Sequence, residues 1–376
     1  MKRIAILGST GSIGTQALEV ITWQGWEVTA LAAGSNATLL LEQAHKYRPA
    51  TVSVAPEVAD QVAPHLPSGT ALVTSAEEVA TAADTDIVLS AIPGLAGLAP
   101  TRAALELGRT VALANKESLV VAGPLMMALA HERSARIIPV DSEHSALWQC
   151  MMGEDPAEVA SLILTASGGP FIDGPADLSG VTPAQALAHP NWDMGRKVSI
   201  DSATLFNKGL EVLEAHFLYN IPLANIEVVV HRQSYVHSLV RFTDGVIKAH
   251  VGTPDMRLPI LFALADGKRP ATPLPPFQVT GSWDFQEPDH ARFPALRTAY
   301  AAGERGGVAP AWLNAADEVA VEAFLAGRIP FTAISAIVEA ATNAAPVGIP
   351  LTWGSIADAD RAARAFAHHT AQQLKE

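Results

Sequence analysis

A chain of 376 residues with 49% hydrophobic and 17% charged side chains has ample material for a core, which excludes a disordered protein and sets a soft expectation of two or three domains. A net charge of −13 and a pI near 5.4 argue against a general nucleic-acid or anionic-membrane binder, while leaving room for a local basic pocket. The single cysteine, Cys150, rules out an intrachain disulfide and suits a reducing cytosol.

The opening apolar run, 4–7, stops at Gly8 and is too short for the apolar region of a signal peptide. No run of about 18 apolar residues suggests a membrane span. No transit peptide or internal repeat is expected. The run reads instead as a buried strand. It leads into Gly8-Ser9-Thr10-Gly11-Ser12-Ile13-Gly14 and then a helical pattern over 16–21. Strand, glycine turn and helix is the context in which backbone N–H groups hold a pyrophosphate at a helix N-terminus. The spacing is G-x-x-G-x-x-G rather than the commoner G-x-G-x-x-G, and a plain tight turn is the competing reading.

A second strand, 27–32, ends in Ala33-Gly34-Ser35-Asn36. No acidic residue follows before Glu42 to take a ribose 2′-hydroxyl, which favours NADP over NAD. Lys46 and Arg48 read as solvated. Further strands are expected at 51–54, 71–74, 86–92, 110–114 and 136–140, with helices at 98–107 and 119–130. Alternating strands and helices with continuously apolar strands mean a mostly parallel sheet covered on both faces, with ligands at the strand carboxyl ends. One such end carries Asn115, Lys116, Glu117 and Ser118, readable as a helix cap or as a nucleotide contact.

Asp141-Ser142-Glu143-His144 follows the strand at 136–140. If the strand conformation continues, Asp141 and Glu143 face one side, and a hard divalent cation would relieve their repulsion. The competing reading is a helix N-cap with acidic charge in its first turn. His144 reads as a structural donor, with a fourth ligand position as the alternative. A strand near 162–164 runs into Ser167-Gly168-Gly169-Pro170. A long irregular stretch then ends in His189-Pro190-Asn191-Trp192-Asp193-Met194-Gly195-Arg196-Lys197, which has the character of a lid. Trp192 either lies over a flat ring or anchors that loop.

Just beyond it, 201–211 holds Ser202, Asn207, Lys208 and Glu211, with a helix expected from about Thr204. Hydroxyls, an amide and an ammonium suit a phosphate, and Glu211 beside them implies a cation nearby. The competing reading is an exposed capped helix with a Lys–Glu pair. Strands at 228–230, 238–242 and 245–251, with Asp244-Gly245 as a hairpin turn, suggest an antiparallel sheet. From about residue 294 the pattern is helical.

These motifs, in this order and over almost the whole chain, closely resemble the 1-deoxy-D-xylulose 5-phosphate reductoisomerase family. The resemblance implies an NADPH-dependent enzyme of isoprenoid synthesis. Such an enzyme rearranges a 2-ketose phosphate to a branched aldehyde and reduces it to 2-C-methyl-D-erythritol 4-phosphate. It implies Asp141, Glu143 and Glu211 as ligands of Mg²⁺ or Mn²⁺. Ser167, Ser202, Asn207 and Lys208 would form the phosphate pocket, with His189 in the lid beside it. Lys116 and Ser142 would touch substrate near the reacting carbons, Lys116 being a candidate for proton transfer. Thr10, Gly11, Ser12, Ile13, Gly34, Ser35, Asn36, Asn115, Glu117 and Gly195 would hold NADPH, and Trp192 would close over the bound ligand. It also implies a cytoplasmic homodimer.

The expected architecture is α/β. A Rossmann-like doubly wound parallel sheet spans 1–141, and an α+β catalytic domain spans 142–265 with a lid near 168–197. A linker at 266–293 then leads to a small helical domain at 294–376. Two departures stand out. Ser35 replaces the Lys found in some members, which weakens the expected grip on a 2′-phosphate. Asp317 stands where Asn is familiar, with no functional consequence attached. A retro-aldol/aldol route and a direct ketol shift are both compatible with these residues. Two other readings are a different NADP-linked dehydrogenase with a fused C-terminal domain and a nucleotide-sensing protein without turnover.

Overall fold

The computed structural model describes residues 1–192 and 194–374, so Asp193 of the expected lid and the last two residues of the expected helical domain lie outside the described residues. Two compact units divide the chain. The first begins with β1 (Arg3–Leu7), α1 (Ser12–Gln24), β2 (Glu27–Ala32), α2 (Ala37–Tyr47), β3 (Thr51–Ser53), α3 (Ala59–Val62), β4 (Ala71–Leu72) and α4 (Ala76–Ala80). It continues through β5 (Ile87–Ser90), α5 (Leu98–Glu106), β6 (Thr110–Leu113), α6 (Lys116–Glu132; its residues Leu119–Leu125 group with the second unit), β7 (Arg136–Pro139) and the start of α7 (Ser142–Met151). The seven strands form one parallel sheet in the order β4-β3-β2-β1-β5-β6-β7.

Ile4, Ala5, Ile6 and Leu7 are all buried, as a parallel strand covered on both faces requires. Strand order reverses direction at β1, between β2 and β5. A doubly wound sheet opens a crevice at such a point, at the strand carboxyl ends. Register aligns those ends: Leu7 lies opposite Ala32 and Ser90, and Leu113 opposite Pro139. α6 is broken at Ala122 (φ −130°, ψ 15°), two residues before Pro124. Proline has no N–H to give the preceding turn, and its ring crowds that turn's carbonyl.

The second unit takes up the rest of α7, then β8 (Val159–Ala166), α8 (Pro183–Leu187), α9 (Arg196–Ala203), α10 (Phe206–Tyr219), β9 (Ile226–Val230), β10 (Val236–Phe242) and β11 (Ile247–Val251). Its sheet has the order β11-β10-β8-β9. The β10–β11 hairpin turns at Asp244-Gly245 as expected, and β10 is antiparallel to β8. β9, however, runs parallel to β8, so the sheet is mixed rather than antiparallel. The cause is the connection: α9 and α10 lie between β8 and β9, and a crossover of that length returns the chain in the same direction.

The chain then re-enters the first unit for α11 (Arg257–Leu264), which packs on α1 and carries Ile260, Leu261, Phe262 and Leu264 into the core. Asp255–Pro276 therefore belongs with the first unit, whereas the sequence reading divided it between the catalytic segment and the linker. α12 (Ala295–Arg305), α13 (Ala309–Leu325), α14 (Phe331–Ala344) and α15 (Trp353–Gln373) complete the second unit. α13 is the hub of this helical region, packing on α14, α15 and α9. No described helix is long and apolar enough to cross a membrane.

Candidate active site

The nucleotide turn sits at the reversal point of the seven-stranded sheet. Gly8 N and Ser9 N both donate to Ala32 O at 2.8 Å, pinning the turn to the end of β2. Gly11 is the N-cap of α1, and no side chain caps the helix. The first-turn N–H groups of Ser12, Ile13 and Gly14 thus have no capping side chain and suit an anion. Gly14 explains why the helix lies so close to the turn: a Cβ there would fall 2.2 Å from Gly8 O and 2.6 Å from Ser9 C. At Gly11 the nearest atom would be 3.4 Å away, so this is the side open to a ligand. Gly34, Ser35 and Asn36 are exposed beyond β2, with Asn36 Oδ1 accepting from Leu39 N to cap α2.

Asn115 is buried beyond β6, where it caps α6 and also cross-links neighbouring turns. Its Oδ1 accepts from Ser118 N at 2.8 Å, and its Nδ2 donates to Ile92 O, Gly94 O and Glu117 Oε2. This ties the ends of β5 and β6 together along the crevice edge. Lys116 turns the other way and donates from Nζ to Asp141 Oδ2 at 2.6 Å.

Asp141 does not continue β7. Its carbonyl accepts from Ser145 N at 2.8 Å and its Oδ1 from Glu143 N at 3.2 Å, so it caps α7, and Glu143 stands in the first helical turn. The same-face argument from an extended strand is corrected: an aspartate at this point gains more by satisfying helix N–H groups than by extending the strand. The two carboxylates nevertheless remain at the same chain turn. Asp141 Oδ1 also lies 3.2 Å from Nδ1 of fully buried His144. Ser142 Oγ donates to Glu143 Oε2 at 2.7 Å. The acceptor-only carboxylate oxygens of Asp141 and Glu143 are the ligand type a hard divalent ion takes, and a cation bound there would compete with the Lys116 ammonium for Asp141.

In the second unit, the stretch 201–211 is not one helix. Asp201 and Ser202 end α9, Leu205 is left-handed (φ 59°), and Asn207, Lys208 and Glu211 lie on α10, which starts at Phe206 rather than Thr204. Glu211 is buried, accepting from Asn207 Nδ2 at 2.5 Å and pairing with Lys208 Nζ. The pair is internal, not the exposed pair of the competing reading. Ser167 follows β8 directly. Beside it Gly169 (φ +65°) lets the turn approach α9: a Cβ there would meet Ser202 O at 2.7 Å. This brings the Ser167 turn against Ser202.

His189 closes the lid onto that turn. Its Nδ1 accepts from Trp192 N at 3.0 Å and Asn191 N at 3.2 Å, so the ring proton resides on Nε2, which donates to Ser167 Oγ at 2.9 Å. Burial pushes the imidazole down to about 4, in keeping with a neutral ring. Gly195 is the exposed N-cap of α9. The Trp192 ring lies 6.3 Å from that of His237, a residue the sequence reading did not single out. His237 is buried on β10 and pushed down to about 4, first by burial and then by the nearby His250 ring; the Lys208 charge also contributes. Its only signal in the sequence was a polar ring amid the apolar run of a strand.

Taken together, an uncapped glycine turn at a sheet reversal and a separate cluster of hydroxyl, amide, ammonium and carboxylate groups define a dinucleotide-dependent α/β enzyme acting on an anionic substrate. Family models for the 1-deoxy-D-xylulose 5-phosphate reductoisomerase match residues 4–123, its C-terminal domain residues 137–219, and the DXP reductoisomerase C-terminal domain residues 251–366. The chain is 54% identical over 364 residues to the 1-deoxy-D-xylulose 5-phosphate reductoisomerase of Thermus thermophilus, covering 97% of this chain and 98% of the relative. It is 46% identical to that of Chlorobaculum tepidum over the full length of both. Among solved structures, a DOX-P reductoisomerase in complex with NADPH, fosmidomycin and magnesium superposes with a TM-score of 0.94 at 37% identity, covering all of both chains. The Zymomonas mobilis enzyme in complex with NADPH gives 0.92 at 40% identity, covering 99% of this chain and all of that one. The chain belongs to the 1-deoxy-D-xylulose 5-phosphate reductoisomerase family.

Proposed function

We propose that this protein converts 1-deoxy-D-xylulose 5-phosphate to 2-C-methyl-D-erythritol 4-phosphate with NADPH and a divalent cation, Mg²⁺ or Mn²⁺, as a step of isoprenoid synthesis. The observation that carries the reading is the end-to-end match to reductoisomerases. A solved relative holding NADPH, fosmidomycin and magnesium together supports the cofactor assignment. A different dehydrogenase or a nucleotide sensor would leave the acidic turn and the phosphate seat without a use.

Thr10, Gly11, Ser12 and Ile13, with the N-terminus of α1, hold the cofactor pyrophosphate. Gly34, Ser35 and Asn36 flank its ribose, and Asn115, Glu117 and Gly195 complete its seat. Asp141, Glu143 and Glu211 are the proposed metal ligands. When bound, the cation supplies Lewis-acid charge for adjacent substrate oxygens, and NADPH supplies the hydride. Ser167, Ser202, Asn207 and Lys208 donate to the phosphate, whose binding energy orders the reacting end of the sugar. His189 holds the lid at the Ser167 turn, and Trp192 shields the ligand from water. Lys116 and Ser142 contact substrate near the reacting carbons, with Lys116 the candidate for proton transfer. Residues 1–141 serve nucleotide binding, 142–265 the chemistry, with the 168–197 lid, and 294–376 support. A cytoplasmic homodimer is the proposed working form.

The test follows NADPH oxidation with 1-deoxy-D-xylulose 5-phosphate, with and without Mn²⁺. Turnover that depends on both sugar phosphate and metal is expected. Folded protein that turns over without metal, or not at all, would overturn the assignment. Glu211→Gln is expected to abolish turnover and leave NADPH binding nearly intact; equal loss of both would remove Glu211 from the metal.

A further inference from the structure

Lys197 is the second residue of α9 and the last residue of the expected lid. Its ammonium donates to two carboxylates at once: Asp201 Oδ2, one turn along α9, at 2.6 Å, and Asp317 Oδ2, on α13, also at 2.6 Å. It also lies 5.6 Å from the centre of the Phe206 ring. Asp201 is 1% exposed and Asp317 is not exposed at all.

Two ionised carboxylates around one ammonium would leave a net negative charge in a dry site, and one of them is expected to keep its proton instead. Burial, and then the Asp201 charge, push the Asp317 carboxyl well above the ordinary carboxylate range. The charged groups acting on Asp317 are Lys197 and Asp201 of α9. Glu318, the next residue of α13, is engaged by Asn314 and by Arg364 of α15. The cluster is therefore one cation, one carboxylate and one carboxylic acid, neutral as a whole, which is what makes its burial tolerable.

α9 has eight residues and no side-chain cap at Gly195. Asp317 attaches α9 to α13 through the side chain of Asp201 and through Lys197, 120 residues away in sequence. One turn further along the same helix is Ser202, against which the Ser167 turn is packed. We propose that Asp317 is a positioning residue for sugar-phosphate binding: through Lys197 it fixes α9 and, with it, Ser202 and the trailing end of the lid. The inference rests on the reading of Ser202 as a phosphate ligand. Asp317 touches no substrate and takes no part in the chemistry.

The experiment measures KM, kcat, NADPH affinity and the calorimetric affinity for 1-deoxy-D-xylulose 5-phosphate in variants of the full chain. Asp317→Leu removes the acceptor, and KM is expected to rise about tenfold or more, with kcat within about threefold and NADPH affinity unchanged. Asp317→Asn keeps a neutral side chain with an oxygen facing Lys197 and is expected to stay within about threefold of wild type throughout. Lys197→Gln is expected to match Asp317→Leu. The double variant should be no worse than the worse single one, because both remove the same link.

A folded Asp317→Leu protein with wild-type KM overturns the inference. So does one in which KM, kcat and NADPH affinity deteriorate together, or an Asp317→Asn protein as impaired as Asp317→Leu. If Asp317→Leu does not fold, a Lys197→Gln protein with unchanged KM overturns it equally. Wild-type protein that neither turns over nor binds the sugar phosphate defeats the functional reading as well. Active wild type with indifferent variants defeats this inference alone.

Discussion

Replacing Gly14 by alanine tests whether the glycine turn is built for close helix approach. The added Cβ would stand 2.2 Å from Gly8 O and 2.6 Å from Ser9 Cα, more than an ångström inside ordinary contact at the first of these. Both neighbours are backbone, so no flexible side chain can move aside. Overpacking of this kind costs about 1–3 kcal/mol, and a backbone clash belongs at the upper end. Alanine in α1 returns roughly 0.5–1 kcal/mol in helix propensity, leaving a net cost of about 2 kcal/mol. At about 2–4 °C per kcal/mol this is a fall of roughly 4–8 °C in Tm. The displaced atoms are those of the pyrophosphate turn, and a similar penalty in binding would weaken NADPH affinity roughly thirtyfold. Calorimetric melting and NADPH titration measure both. Gly34→Ala is the control for stability, since a Cβ there meets nothing within 4 Å and its φ is ordinary; its Tm should not move. A Gly14→Ala protein with wild-type Tm and wild-type NADPH affinity would refute the reasoning.

Asn115→Asp should lower Tm by several degrees, because a carboxylate cannot donate to the carbonyls of Ile92 and Gly94 and would face them with charge; an unchanged melting curve would contradict the cross-link. Lys208→Ala should mainly raise KM for the sugar phosphate, and an unaltered KM would remove this residue from the phosphate pocket. It should also destabilise the protein, since Glu211 loses the ammonium of a buried pair. For His189 the direction in pH is fixed by its lowered value: the unfolded chain takes up the proton first, near 6.5. The stability contributed by the neutral ring is then complete above about 6.5 and is lost as the pH falls toward about 4. A histidine NMR titration, with the signal identified by its loss in His189→Gln, should give a midpoint near 4 in the folded protein, and a midpoint above 6 would contradict the buried clasp.

Much of the first unit was legible because its rules are local. An apolar run, a glycine turn and a helical pattern specify β1, the turn and α1 within about twenty residues, and the apolar strands that follow can only be those of a covered parallel sheet. The identity of the candidate site residues was likewise carried by short motifs. Their local conformation was less secure. Asp141 was open to strand continuation or helix capping, and the outcome was set by which backbone N–H groups needed an acceptor. The break at Leu205 could not be read, because a left-handed leucine is unfavourable by itself. In the folded protein its side chain is buried.

The sequence alone determined the strand and helix segments, the nucleotide turn and the chemical inventory of the site, since propensity, periodicity and side-chain type are properties of adjacent residues. Tertiary structure alone decided that β9 runs parallel to β8, that α11 belongs with α1, and that Lys197 lies between Asp201 and Asp317. Each of these depends on which distant surfaces exclude water together, and that is a property of the folded chain rather than of any stretch of it.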